Sequence, residues 1–160
     1  MDKLLLRKQV LERLSDDLRR VEQAVQIAHE AATHEENVAE NKYDTLGLEA
    51  SYLATGQARC AQAIREAMAV WHRFHPQPYD SSKGVGLGAL VGLLDAGGNR
   101  QLLFLGPSGG SMKLVVGTES VQVISAETPL GRAMLGKVEG DEVSMQVAQK
   151  LQQFEVLTVY

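Results

Sequence analysis

Twice in the first half of the chain, apolar residues return at steps that alternate between three and four. The first run is Leu11, Leu14, Leu18, Val21, Val25 and Ala28. The second is Leu46, Ala50, Leu53, Gln57, Cys60, Ile64, Ala67, Trp71 and Phe74. That spacing is the seam of a coiled coil, in which each helix buries one narrow apolar stripe against a partner. Two such seams joined by a short connection, with Gly and Pro scarce inside them, predict an antiparallel helical hairpin. At ~1.5 Å per residue, an arm of this length reaches roughly 40 Å. Gln57 is a polar interruption of the second seam and suits a register-setting role. Cys60 falls on the same seam and reads as a small buried hydrophobe.

The connection between the seams is the most acidic part of the chain. From His29 to Glu49 it carries Glu30, Glu35, Glu36, Glu40, Asp44 and Glu49 against a single base, Lys42. Glu36, Glu40 and Asp44 are four apart and share one face if the segment is helical. Bases gather toward the other end of the hairpin, at Arg7, Lys8, Arg13, Arg19, Arg20, Arg65 and Arg73. A generic solvated coiled coil intermixes its signs; this one is polarised along its length. Carboxylates concentrated at a protruding tip, near residues 34–45, suit a hard cation such as Mg²⁺, although one or two do not make a tight site alone. The plainer alternative is a turn made polar for solubility.

Pro76 and Pro78 stop the second helix. The stretch P-Y-D-S-S-K-G-V-G-L-G is a linker by composition, which divides the chain into a coiled-coil domain (1–78), a linker (79–88) and a second domain (89–160). The apolar period then changes. Short runs at 88–94 and 101–105 flank A-G-G-N, a hairpin signal. A run at 121–125 reads as a strand. Thr128 and Pro129 read as an N-cap followed by proline at the first helical position, opening a short helix over 130–135 that ends at Gly136. Runs at 142–147 and 154–159 make a last hairpin. The expected fold class is α+β: an antiparallel two-helix coiled coil plus a small antiparallel β domain with one short helix.

Several function classes recede on chemistry. The net charge of −4 argues against broad DNA binding, which needs a basic face. His29 and His34 are five apart and point about 140° away from each other on a helix, so they do not form a helical zinc pair. The glycines at 84, 86 and 88 lack the strand and helix of a phosphate loop and read as flexible linker. No Ser, His and Asp constellation stands out for nucleophilic catalysis. One cysteine permits no intrachain disulfide, which suits a reducing cytoplasm. No apolar run approaches the roughly 20 residues of a membrane span.

The run I-S-A-E-T-P-L-G-R-A-M-L-G-K-V-E-G-D-E-V (124–143), closed by F-E-V-L-T-V-Y, resembles the C-terminal domain of the bacterial Gre transcript cleavage factors. The first half is similar to the same family's coiled coil, whose tip has the form G-D-L-K-E-N-A-E-Y; here the stretch is Glu36-Asn37-Val38-Ala39-Glu40-Asn41-Lys42-Tyr43. The resemblance implies an FKBP-like C-terminal fold that binds RNA polymerase, and a coiled coil that enters the polymerase secondary channel. It implies no cofactor of its own, only Mg²⁺ shared with the polymerase active site, and an accessory that speeds cleavage of a backtracked RNA 3′ end without being an enzyme itself. Glu40 matches the family's catalytic glutamate. Asn37 stands where the family has aspartate, and Glu36 occupies the family's glycine position and supplies a substitute acid. Glu40 and Glu36 are therefore the expected Mg²⁺ contacts, with Asn37 beside them. Thr128, Pro129, Leu130 and Gly131 match the part that faces polymerase. A cytoplasmic monomer with no membrane contact is expected. The alternatives are a channel regulator without cleavage, a prolyl isomerase, which needs an aromatic-lined pocket, and a dimerising coiled coil.

Overall fold

The computed structural model describes residues 2–33, 46–108 and 111–160. Two long helices come first, α1 (Lys3–Thr33) and α2 (Leu46–Arg73). Six strands and one short helix follow among the described residues: β1 (Leu90–Asp95), β2 (Arg100–Gly106), β3 (Met112–Val116), β4 (Glu119–Ser125), α3 (Pro129–Met134), β5 (Glu142–Val147) and β6 (Lys150–Val159). This is the α+β architecture expected. By contacts the chain divides into a hairpin unit, Leu11–Ala69, and a sheet unit made of Met1–Val10 with Val70–Tyr160.

In the hairpin unit, α1 buries the stripe its sequence marks. Leu14 and Ala28 are buried, and Leu11, Leu18, Val21 and Val25 are half-buried. On α2 the stripe is displaced from the expected one. Leu53 is 57 % exposed and Cys60 is exposed, while Ala61 is buried and Ala54 is half-buried. The inward positions are Ala54, Gln57, Ala61, Ile64 and Met68, which also alternate three and four. Two seams thus pass through Gln57 and Ile64, and the one taken puts alanines inward, which lets two helix backbones approach closely where leucine would hold them apart. Cys60 is not the buried hydrophobe expected.

Charges in this unit are locally balanced. Arg13 pairs with Asp17 at 3.2 Å, Arg19 with Asp16, and Arg20 with Asp17 at 3.9 Å. Arg65 reaches across to Glu22 at 2.5 Å. Each pair is largely exposed and contributes at most about 1 kcal/mol. Their effect on the charge pattern is larger, because they give four of the bases an adjacent acid.

In the sheet unit the strand order is β3-β4-β2-β1-β6-β5. Adjacent strands run antiparallel except β2 and β4, which pair in parallel from Leu102↔Val121 to Gly106↔Ser125. The sheet is therefore mixed, where an antiparallel one was expected. Strand β3 was not foreseen in the sequence; it passes outside β4 and leaves β4 to return beside β2.

The sheet has two apolar faces, because alternate side chains point to opposite sides. On one face Val91, Leu93, Leu103, Leu105 and Val156 form the core with Met134 of α3. Val85 belongs to this core and is 2 % exposed. The expected linker thus enters the fold at Val85, whose N–H donates to Lys137 O at 2.8 Å and whose carbonyl accepts from Gly136 N at 2.8 Å. On the other face Phe104 is covered by Trp71, at 6.1 Å between ring centroids. Phe74 meets Trp71 edge-on at 5.6 Å. The Trp71 indole N–H donates to Ser108 O at 3.0 Å. Leu6 and Val10 of α1 are fully buried in the same unit. Arg7 fixes the end of α2 by donating from Nε to Trp71 O at 3.0 Å and from Nη2 to His72 O at 2.7 Å. Those carbonyls lie in the last turn of a helix, where intrahelical donors run out.

The β1–β2 turn closes on one carboxylate. Asp95 Oδ1 accepts from Gly97 N at 2.8 Å and Asn99 N at 2.9 Å, and Oδ2 accepts from Asn99 Nδ2 at 3.0 Å. The Asn99 side chain and then its backbone N–H hold the Asp95 carboxyl below the usual carboxylate range, against a smaller opposing effect of desolvation. A folded pKa below the unfolded one contributes stability at pH values above the unfolded pKa, and that contribution is lost as pH falls through the folded value. Acid unfolding of the Asp95→Asn variant is therefore expected to start from lower stability at neutral pH and to show a shallower decline. Equal slopes in wild type and variant would contradict this role.

Candidate functional site

The tip residues singled out by the sequence, Glu36, Asn37 and Glu40, lie outside the described residues, as do Asn41, Lys42 and Asp44. Among the described residues no group of three or more His, Cys, Asp and Glu side chains is placed to hold a metal. Nor is any described helix long and apolar enough to cross a membrane.

The second candidate site, the turn into α3, is described in full. Strand β4 ends at Ser125, which is buried. Its carbonyl accepts from Thr128 N at 3.1 Å and from Thr128 Oγ1 at 2.8 Å. Its hydroxyl accepts from Glu127 N at 3.1 Å. Thr128 is the N-cap of α3, with extended backbone, and its Oγ1 accepts from Gly131 N at 3.1 Å. The cap satisfies an amide that the first turn of a helix leaves without a partner. Pro129 sits at the first helical position, where its missing N–H costs nothing. Gly131 is buried so closely that a Cβ there would lie 2.3 Å from Ser125 O. Leu130 packs against the core, and Met134 is fully buried in it.

Of the four expected partner-facing residues, only Pro129 is exposed. Thr128, Leu130 and Gly131 build the turn from within. The exposed positions further along are Arg132, Leu135 and Gly136.

The sheet unit also holds an open cleft of about 680 Å³. Its wall includes Gly92, Leu102, Leu157 and Thr158, and Tyr160 is its one aromatic lining residue. This is not the aromatic-lined pocket that a prolyl isomerase needs.

Residues 81–160, half of the chain, match the family described as transcription elongation factor, GreA/GreB, C-term. The chain belongs to the GreA/GreB family. Membership makes this GreA/GreB-type chain an accessory of RNA polymerase rather than an enzyme in its own right. Its match begins at Ser81, before the first strand, in keeping with the burial of Val85. Among solved structures, it is similar to GreA factor homolog 1 (Gfh1) of Thermus thermophilus, with 25% identity, 94% of each chain covered and a TM-score of 0.38. It is similar to Gfh1 of Thermus aquaticus at 24% identity, over 93% of this chain and 92% of that one, with a TM-score of 0.40. A GreA/GreB factor from Nitrosomonas europaea aligns at 19% identity, over 70% of this chain and 93% of that one, with a TM-score of 0.37. No curated protein gives a significant match.

Proposed function

We propose that this chain binds RNA polymerase through its sheet unit, carries the acidic tip of its helical hairpin into the secondary channel, and stimulates cleavage of backtracked RNA. The observation that carries the reading is the family match over residues 81–160. The tip sequence supports it. Glu40 supplies the matching carboxylate, and Glu36 replaces the charge missing at Asn37. Both carboxylates serve the Mg²⁺ of the polymerase active site, where metal-assisted phosphodiester hydrolysis needs the ion held and the water oriented. The chain brings no nuclease chemistry of its own.

One observation favours a second reading, a channel regulator without cleavage. Asn37 offers a carbonyl but no charge, so it holds a hard cation less strongly than aspartate does. The two readings separate in an elongation complex carrying Asn37→Asp or Glu36→Ala. The cleaving factor predicts that Glu36→Ala slows RNA 3′-end release and that Asn37→Asp changes it little. Cleavage that appears only with Asn37→Asp, while the wild type slows the polymerase, supports the regulator. Failure of the wild type to bind polymerase contradicts both.

A further inference from the structure

We infer that α2 has two registers against α1, related by a turn of roughly 50° about its own axis, and that the Arg65–Glu22 pair holds it in the one observed. Two adjacent seams on one helix carry this. Ala54, Gln57, Ala61 and Ile64 face inward. Leu53, Gln57, Cys60 and Ile64 are spaced equally well for a seam, in steps of four and three. Successive helical residues lie about 100° apart, so two stripes that share Gln57 and Ile64 have centres roughly 50° apart. The single apolar stripe of α1 serves either. Leu53 is 57 % exposed and Cys60 is exposed, whereas Ala61 is 2 % exposed. One turn further on, Ala67 and Met68 are both half-buried, so the registers merge there and diverge toward Leu53.

Opposing effects keep the two registers close in free energy. Burying Leu53 in place of Ala54 removes more apolar surface from water. The observed register instead brings the helices together over Ala54 and Ala61, which gains dispersion contacts. It also keeps Arg65 at the flank of the seam, where its Nη2 donates to Glu22 Oε1 at 2.5 Å. In the second register Arg65 turns to roughly 130° from the seam centre and leaves α1. An exposed pair of this kind shifts an equilibrium by up to about fivefold, and salt screens it. Ionic strength therefore selects between the registers. In sequence α2 follows the acidic stretch 34–45 directly, so its register is a point at which that stretch is open to regulation. The inference stands on the hairpin unit alone and holds whether or not the chain stimulates cleavage.

The test is the rate at which N-ethylmaleimide, an uncharged reagent, labels the native full-length chain at about 0.05 M and about 0.5 M KCl. Cys60 is expected to label about twofold more slowly at the higher salt, because the second register buries it. A Cys60→Ser, Ala61→Cys double variant carries the thiol at the inward position of the observed register, and there salt should speed labelling by about the same factor. Arg65→Gln should give Cys60 its high-salt rate already at low salt. Leu53→Glu bars the second register and should abolish the salt effect. Opposite signs at positions 60 and 61 are the mark of a rotation. Labelling that moves the same way at both, as general loosening of the hairpin would cause, overturns the inference. A Cys60 rate that neither salt nor Arg65→Gln changes also overturns it.

Discussion

Replacing Trp71 with alanine is expected to lower the stability of the sheet unit by about 3–5 kcal/mol, the usual cost of deleting a buried aromatic. Trp71 is fully buried. Its indole lies over β2, where a Cβ on Gly106 would come within 2.4 Å of the ring. The ring also packs on Phe104 and Phe74. Truncation would therefore open a cavity on the second sheet face and leave Ser108 O without its donor. Trp71→Phe keeps most of the apolar area and loses the indole N–H, so a smaller loss is expected. Urea unfolding followed by far-UV circular dichroism measures both variants; dichroism is needed because Trp71 is the chain's one tryptophan. A loss below about 1 kcal/mol in Trp71→Ala, the level of a typical surface substitution, would mean that the helix end does not cover the sheet.

The second large effect is at Gly131, where alanine should cost about 1–3 kcal/mol despite its better helix propensity. The new methyl group would meet Ser125 O at 2.3 Å and Thr128 Oγ1 at 3.0 Å, so the capped turn has to move. Gly56 provides the opposite case. It lies within α2 with nothing within 4 Å of its Cβ position. There Gly56→Ala should stabilise the hairpin unit by roughly 0.5–1 kcal/mol. Thermal unfolding of both variants reads the two signs. Similar shifts for both would show that the Thr128 turn is not tightly packed around Gly131.

Both effects bear on what the sequence could reveal. The helices, the hairpin strands and the Thr128 cap were legible because each is signalled within a few residues: a heptad step, a Gly-Gly turn, a threonine before proline. The parallel pairing of β2 with β4 was not, because it joins segments separated by β3 and has no local mark. Strand β3 has no clear signal because M-K-L-V-V is short and glycines flank it in the sequence. On α2 two seams share Gln57 and Ile64, and the pattern of apolar steps alone does not choose between Leu53 with Cys60 and Ala54 with Ala61. The glycines around Val85 read as linker because composition does not show that one valine between them reaches the core. At the α3 turn the resemblance points to a segment, and only burial separates Thr128, Leu130 and Gly131, which shape the turn, from the exposed Pro129. The tip is the reverse case, since Glu36, Asn37 and Glu40 are assigned from sequence alone.

The central claim is that this chain acts through its tip on the polymerase's own chemistry. The most direct measurement is the rate of RNA 3′-end cleavage in a stalled, backtracked elongation complex, with wild type and with Glu40→Ala. The proposed function predicts faster cleavage with the wild type and a return to the polymerase's intrinsic rate with Glu40→Ala, while both proteins bind the complex equally. A wild type that binds without accelerating cleavage, or a Glu40→Ala variant that accelerates it as well as the wild type, would contradict that claim.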